Sequence, residues 1–195
     1  MKCTVIFGSP RKNGNTISLT RPFMDELTKL GAEVEFIDVY EKNIEGCRAC
    51  LGCQNDTDRI YCVVQDEMQP VLKSLTDSNL IVVAAPIYLW SAPAPVKVVL
   101  ERLVYASCKY YGDDPYGPAL LKGKKLALIT TCGYPVEKGT ELYEEMMRRY
   151  CKHCGLEYAG MLAERQRNLK EPFMDEEMER SLRDLNEIGK PKKKV

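Results

Sequence analysis

Gly8-Ser9-Pro10-Arg11-Lys12-Asn13-Gly14-Asn15-Thr16 follows directly on an apolar run, residues 3–7, and precedes a segment with helical spacing of Ile17, Phe23, Leu27 and Leu30. A buried strand that breaks into glycines, hydroxyls, an amide and two cations before a helix opens aims backbone N–H groups and the positive end of a helix dipole at one point. The stretch reads as an anion cradle. Five residues separate Gly8 from Gly14, and Asn15 stands where a Walker loop needs its lysine, which argues against nucleoside triphosphate hydrolysis. No second glycine follows Gly8 at the offset of the dinucleotide fingerprint. A single terminal phosphate monoester, as on FMN, fits the loop better. The alternative is a solvated turn in which Asn15 or Thr16 only caps the helix. Ser9, Arg11, Asn15 and Thr16 are the candidate phosphate ligands, with Asn13 and Gly14 completing the loop; Arg11 supplies charge and the others neutral donors.

Outward from this loop, strand-like apolar runs at 3–7, 33–39, 79–85, 125–130 and 156–162 alternate with helical patterns at about 16–30, 67–75, 93–106, 137–151 and 175–188. This alternation predicts an α/β protein, a doubly wound parallel sheet of five strands with helices on both faces. Ligands of such sheets bind beyond the carboxyl ends of the strands. The loops after the first, third and fourth strands are therefore expected to converge.

Pro86-Ile87-Tyr88-Leu89-Trp90 follows the third strand and holds the chain's one tryptophan. A flat, mostly apolar isoalloxazine ring is held well by such side chains together with backbone donors at residues 88–90. Covering a hydrophobic edge or a subunit contact is the competing role for Tyr88 and Trp90. Thr131-Cys132-Gly133 ends the fourth strand with small residues that permit close backbone approach. Cys47-x2-Cys50-x2-Cys53, followed by Cys62, places four thiols within sixteen residues. Three readings stand: ligands of a [4Fe–4S] cluster, reduced thiols with a packing or redox-sensing role, and a structural zinc site. Cys151 and Cys154, flanking His153, read as helix-end packing, and Cys3, Cys108 and Cys132 as core or loop thiols.

The phosphate loop resembles that of the flavodoxin-like NAD(P)H-dependent FMN reductases, and the cysteine run resembles the iron–sulfur flavoprotein branch of that superfamily. The resemblance spans roughly residues 1–160 and implies a flavodoxin-like three-layer sandwich whose five-stranded parallel sheet has the order 2-1-3-4-5. It implies that residues 86–90 line the flavin, that 131–133 form the third flavin loop, and that subunits pair as homodimers or homotetramers with the flavin near their boundary. Eight residues between Cys53 and Cys62 are a longer gap than the compact cluster motif has.

Length and charge bound the function. The 195 residues suit one domain, expected over 1–189, with 190–195 as a basic solvated tail. The 28 basic and 28 acidic side chains cancel, which disfavours nucleic acid and anionic membrane as partners. No leader or spanning run is evident, so a cytoplasmic protein is expected, in which nine cysteines point to thiol, metal or redox chemistry. The function expected is an FMN-dependent oxidoreductase passing electrons from NAD(P)H, or from a reduced protein donor, to a quinone, flavin or other small acceptor. A flavodoxin-type electron carrier and a flavin-free scaffold are its rivals.

Overall fold

In a computed structural model, which describes residues 1–112, 115–166 and 173–174, the five apolar runs form one parallel sheet of order β2-β1-β3-β4-β5. The strands are β1 (Lys2–Phe7), β2 (Glu33–Asp38), β3 (Leu80–Pro86), β4 (Lys125–Cys132) and β5 (Glu157–Arg165). Every residue of β3 is buried, as expected of a central strand covered on both faces. At the edge, only Ile37 and Asp38 of β2 are buried. The helices are α1 (Asn15–Lys29), α2 (Met68–Asp77), α3 (Ala94–Ser107), α4 (Val136–Gly139) and α5 (Glu141–Cys154).

Alternation along the strands feeds two cores. Val5, Phe7, Val82 and Ala84 meet Ile17, Leu19, Phe23 and Leu27 of α1 on one face. Ile6, Ile81 and Val83 meet α2, α3 and α5 on the other, where Met68, Val99, Leu103 and Met147 are buried. A period of two in the strands and of 3.6 in the helices thus yields one layer on each side of the sheet.

The helix expected over 137–151 is instead α4 and α5, broken at Thr140. Thr140 leaves the helical region at φ −122° and its hydroxyl donates to the Val136 carbonyl at 2.8 Å. Close packing accompanies the break: a Cβ on Gly139 would stand 3.2 Å from Cys132 Sγ. The long connection after β2 carries two 3-10 turns, Val39–Glu41 and Gly52–Asn55, and otherwise follows an irregular path. The amphipathic segment 175–188, the tail 190–195, and with them the full extent of a 1–189 domain, lie outside the described residues.

Candidate functional site

The loop that ends β1 is held by backbone bonds and by the two ion pairs of Lys12. Gly8 N–H donates to Ala84 O at 2.8 Å, and a Cβ on Gly8 would lie 2.0 Å from Val96 Cγ2, so only glycine lets α3 approach here. Ser9 is buried, and its hydroxyl accepts from Arg11 N–H at 3.3 Å. Lys12 turns away to Asp38 at 2.6 Å, and also to Glu41; these bonds, Asp38 first, raise its pKa. Arg11 and Asn13 are exposed, and Arg11 forms no ion pair among the described residues.

Gly14 is the N-cap of α1, and no side chain caps the helix. Neither Asn15 nor Thr16 plays the capping role, so the first-turn N–H groups of α1 are left to an external acceptor. Asn15 Nδ2 donates to Gln166 Oε1. Thr16 Oγ1 lies 2.8 Å from Thr131 Oγ1, with both residues buried. That bond joins the first loop to the third.

Thr131 also accepts from Ile87 N–H at 2.8 Å through its carbonyl, joining the second loop to the third. Beyond Pro86 and Ile87 the chain makes a two-residue reversal in which Tyr88 N–H donates to Ser91 O at 2.8 Å and Ser91 N–H returns to Tyr88 O at 3.1 Å. Leu89 and Trp90 occupy its centre at φ 54° and 57°. Two left-handed non-glycine residues in a tight turn are strained, at about 1–2 kcal/mol each. The Tyr88 donor is thus spent internally, and the turn presents Leu89, 89% exposed, to solvent. Trp90 stacks on Tyr134 at 5.9 Å and donates its indole N–H to Lys138 O at 3.2 Å.

In the third loop, Cys132 is buried with Sγ against Tyr134 O at 3.2 Å, and burial pushes its thiol up. Cys132 therefore has its backbone, not its thiol, to offer a ligand. Around Gly133 nothing lies within 4 Å of where a Cβ would stand, so its lack of a side chain serves no internal packing and leaves space.

Two participants were missed by sequence reasoning. Gln166 receives Asn15 and donates its N–H to Cys132 O at 2.9 Å, while Arg165 Nε donates to Gly133 O at 3.2 Å. Both sit at the carboxyl end of β5, beside β4 in the sheet, where the strand-end rule applied to the fifth strand would have pointed.

A cavity of 570 Å³ lies elsewhere, along edge strand β2, between Phe7, Met24, Phe36 and Val71. Its charged rim includes Lys12, Asp38 and Glu41, which are bonded to one another. The convergent, uncommitted donors are at the strand-end loops, which we take as the candidate cofactor site.

Cys47, Cys50, Cys53 and Cys62 all line a second cavity, together with Arg102 and Tyr105 of α3. Ala49 and Leu51, at φ 50° and 55°, bend the triple-cysteine run around it, strain of the kind that persists at functional sites. Arg102, 1% exposed, anchors the loop by bonding Asp66, Val64 O and Glu45 O. Burial opposes ionisation of Asp66, but bonds from Arg102 and from the Glu45 and Met68 N–H groups outweigh it and lower its pKa. Gln54 clamps the same loop to Tyr105 O at 2.7 Å and Cys108 O at 3.1 Å.

Among the described residues no three Cys, His, Asp or Glu groups are close enough to hold one metal ion. A four-iron cluster instead spreads its thiolates over separate irons. The donor set and the orphaned Arg102 Nε fit such a group. The cavity, at 20 Å³, has room for about one water, so the loop would have to widen on its exposed Cys50 side. Arg102 is eight residues along α3 from Ala94, about 12 Å down the axis.

The second cysteine group packs as expected. Cys151 and Cys154 are buried in the core with Cys108, and burial pushes the Cys151 thiol up to about 12. Cys3 is likewise buried and pushed up to about 12.

A family model described as a flavodoxin-like fold matches residues 1–188. An iron-sulfur flavoprotein of Methanosarcina thermophila is 30% identical over 124 residues, 63% of this chain and 63% of that protein. One from Archaeoglobus fulgidus is 32% identical over 124 residues, 64% of this chain and 51% of that protein. The chain thus spans between half and just under two thirds of the length of these curated relatives. Among solved structures, an FMN-dependent NADH-azoreductase from Bacillus anthracis in complex with FMN superposes at a TM-score of 0.70 and 15% identity, covering 96% of this chain and 97% of that one. An NAD(P)H:quinone oxidoreductase from Methanothermobacter marburgensis superposes at 0.68 and 15% identity, covering 96% and 93%. At such identities the likeness is one of fold. No described helix is long and apolar enough to cross a membrane.

Proposed function

We propose, from the premise that the chain belongs to the flavodoxin-like family matched by its residues 1–188, that it is an FMN-dependent oxidoreductase. It would take electrons from NAD(P)H or a reduced protein donor and deliver them to a quinone, flavin or other small acceptor. The observation that carries this reading is the uncapped α1 N-terminus behind Gly14, bonded through Thr16 and Thr131 to two further strand-end loops. An isolated surface turn has no need of that convergence.

In this reading the first-turn N–H groups of α1, with Ser9, Arg11, Asn15 and Thr16, hold the phosphate monoester, and Asn13 and Gly14 shape the loop. Pro86, Ile87, Tyr88, Leu89 and Trp90 flank the ring on one side and Thr131, Cys132 and Gly133 on the other. Bound FMN supplies the capacity to accept a hydride and release electrons singly or in pairs. The protein binds and orients it, and no side chain is assigned an acid–base role. The test is FMN affinity: Ser9→Ala combined with Arg11→Ala is expected to weaken binding at least tenfold, and unchanged affinity would sink the phosphate-loop assignment.

A second reading is favoured by one observation, the lining of a single cavity by all four segment thiols. On it, Cys47, Cys50, Cys53 and Cys62 ligate a [4Fe–4S] cluster that exchanges electrons with the flavin, as the name of the curated relatives suggests. Anaerobically purified protein should then carry about four irons per chain. A homodimer or homotetramer and a cytoplasmic location complete the proposal.

A further inference from the structure

Two buried cations, Lys109 and Arg102, bond the cysteine segment, and only Arg102 has a carboxylate partner among the described residues. Lys109 is 2% exposed, yet no carboxylate lies within 4.0 Å of its ammonium among the described residues. Its Nζ donates to the Cys53 carbonyl at 2.7 Å and lies 5.1 Å from the centre of the Tyr61 ring. An ammonium taken out of water is costly unless an anion offsets it, and one carbonyl and a ring face do so only in part. Arg102 has its Asp66 partner, but its Nε has no acceptor although it is buried. Arg102 also lines the four-thiol cavity.

We propose that Lys109 is the charge-setting residue of the cysteine site: its buried positive charge is matched to an anionic thiolate-held group, to which Arg102, its charge already offset by Asp66, adds only its free Nε–H donor. This rests on the cluster reading above. Adding an electron to such a group makes it more negative, so a fixed cation beside Cys53 favours the reduced form and raises the reduction potential. Lys109 sits just beyond α3, whose Arg102 and Tyr105 wall the cavity, and reaches the site from outside that lining through the Cys53 carbonyl.

The experiment compares anaerobically purified full-length protein with Lys109→Met, which keeps length without charge, and Lys109→Arg, which keeps charge. Iron and acid-labile sulfide are measured first, and the cluster is then titrated against potential by its visible absorbance. With iron retained, Lys109→Met is expected to titrate at more negative potential, by a tenfold or greater loss in the reduction equilibrium constant, equivalent to 59 mV for one electron. Lys109→Arg should remain near the parent. Unchanged potential in iron-replete Lys109→Met overturns the assignment. Iron lost from Lys109→Met and kept by Lys109→Arg supports it, and iron lost from both overturns it. If the parent protein itself holds no iron, the cluster reading fails separately. Alkylation of the four thiols by iodoacetamide at fixed pH then decides: slower modification in Lys109→Met supports the charge assignment, and an unchanged rate overturns it.

Discussion

The hydroxyls of Thr16 and Thr131 meet at 2.8 Å across 115 residues of chain, at the start of α1 and near the end of β4. Each is the other's protein partner in a buried setting, so removing one leaves the other unsatisfied. Thr16→Val or Thr131→Val alone should cost about 1–3 kcal/mol. The double variant should lose clearly less than the sum, because no orphan hydroxyl remains. Urea denaturation of the four proteins measures the coupling, and strict additivity would show that the bond contributes nothing.

That pair also shows what was legible in the chain. Parallel strands buried on both faces write themselves as apolar runs, so all five strands could be anticipated from residues such as Val5, Val82 and Leu128, whereas their order was legible only through the family resemblance. The three loops followed from the rule that ligands lie beyond strand ends. Side-chain partnerships across long separations left no local trace. Nothing around Asn15 announces Gln166, and nothing around Arg102 announces Asp66. The extra residue in β5 opposite Leu126 and Ala127, and the break at Thr140, depend on packing that periodicity does not encode.

The turn at Leu89 and Trp90 stores strain without burying Leu89. Leu89→Gly should therefore raise stability by about 1 kcal/mol, the relief of a left-handed leucine less the extra chain entropy of glycine. The midpoint of chemical unfolding reads this directly. A loss of stability would mean that the side chain packs on something, such as a second copy of the chain.

Acid should loosen the cysteine segment first. Asp66 binds Arg102 and the N–H groups of Glu45 and Met68, which hold its pKa below the unfolded carboxylate value of about 3.9. Stability from a depressed carboxylate is fully present above the unfolded value and is lost as pH falls through the folded one. Hydrogen exchange of residues 43–66 should thus rise below about pH 4. Asp66→Asn should reproduce that loosening at neutral pH, at a cost of about 3–5 kcal/mol, because Arg102 is left as an unpaired buried cation. Exchange that stays pH-independent down to global unfolding would show that the Gln54 clamp holds the segment without the ion pair.

Trp90 is the chain's one tryptophan, and its stack on Tyr134 bridges the second and third loops. Its emission therefore reports on the place assigned to the ring and on no other. Flavin bound between residues 86–90 and 131–133 should quench that emission strongly, saturating at one FMN per chain. Arg11→Ala, which touches only the phosphate end, should shift the same titration to higher FMN with an unchanged endpoint. FMN that binds without quenching would place the ring away from these loops, and the cavity along β2 would then become the site to test.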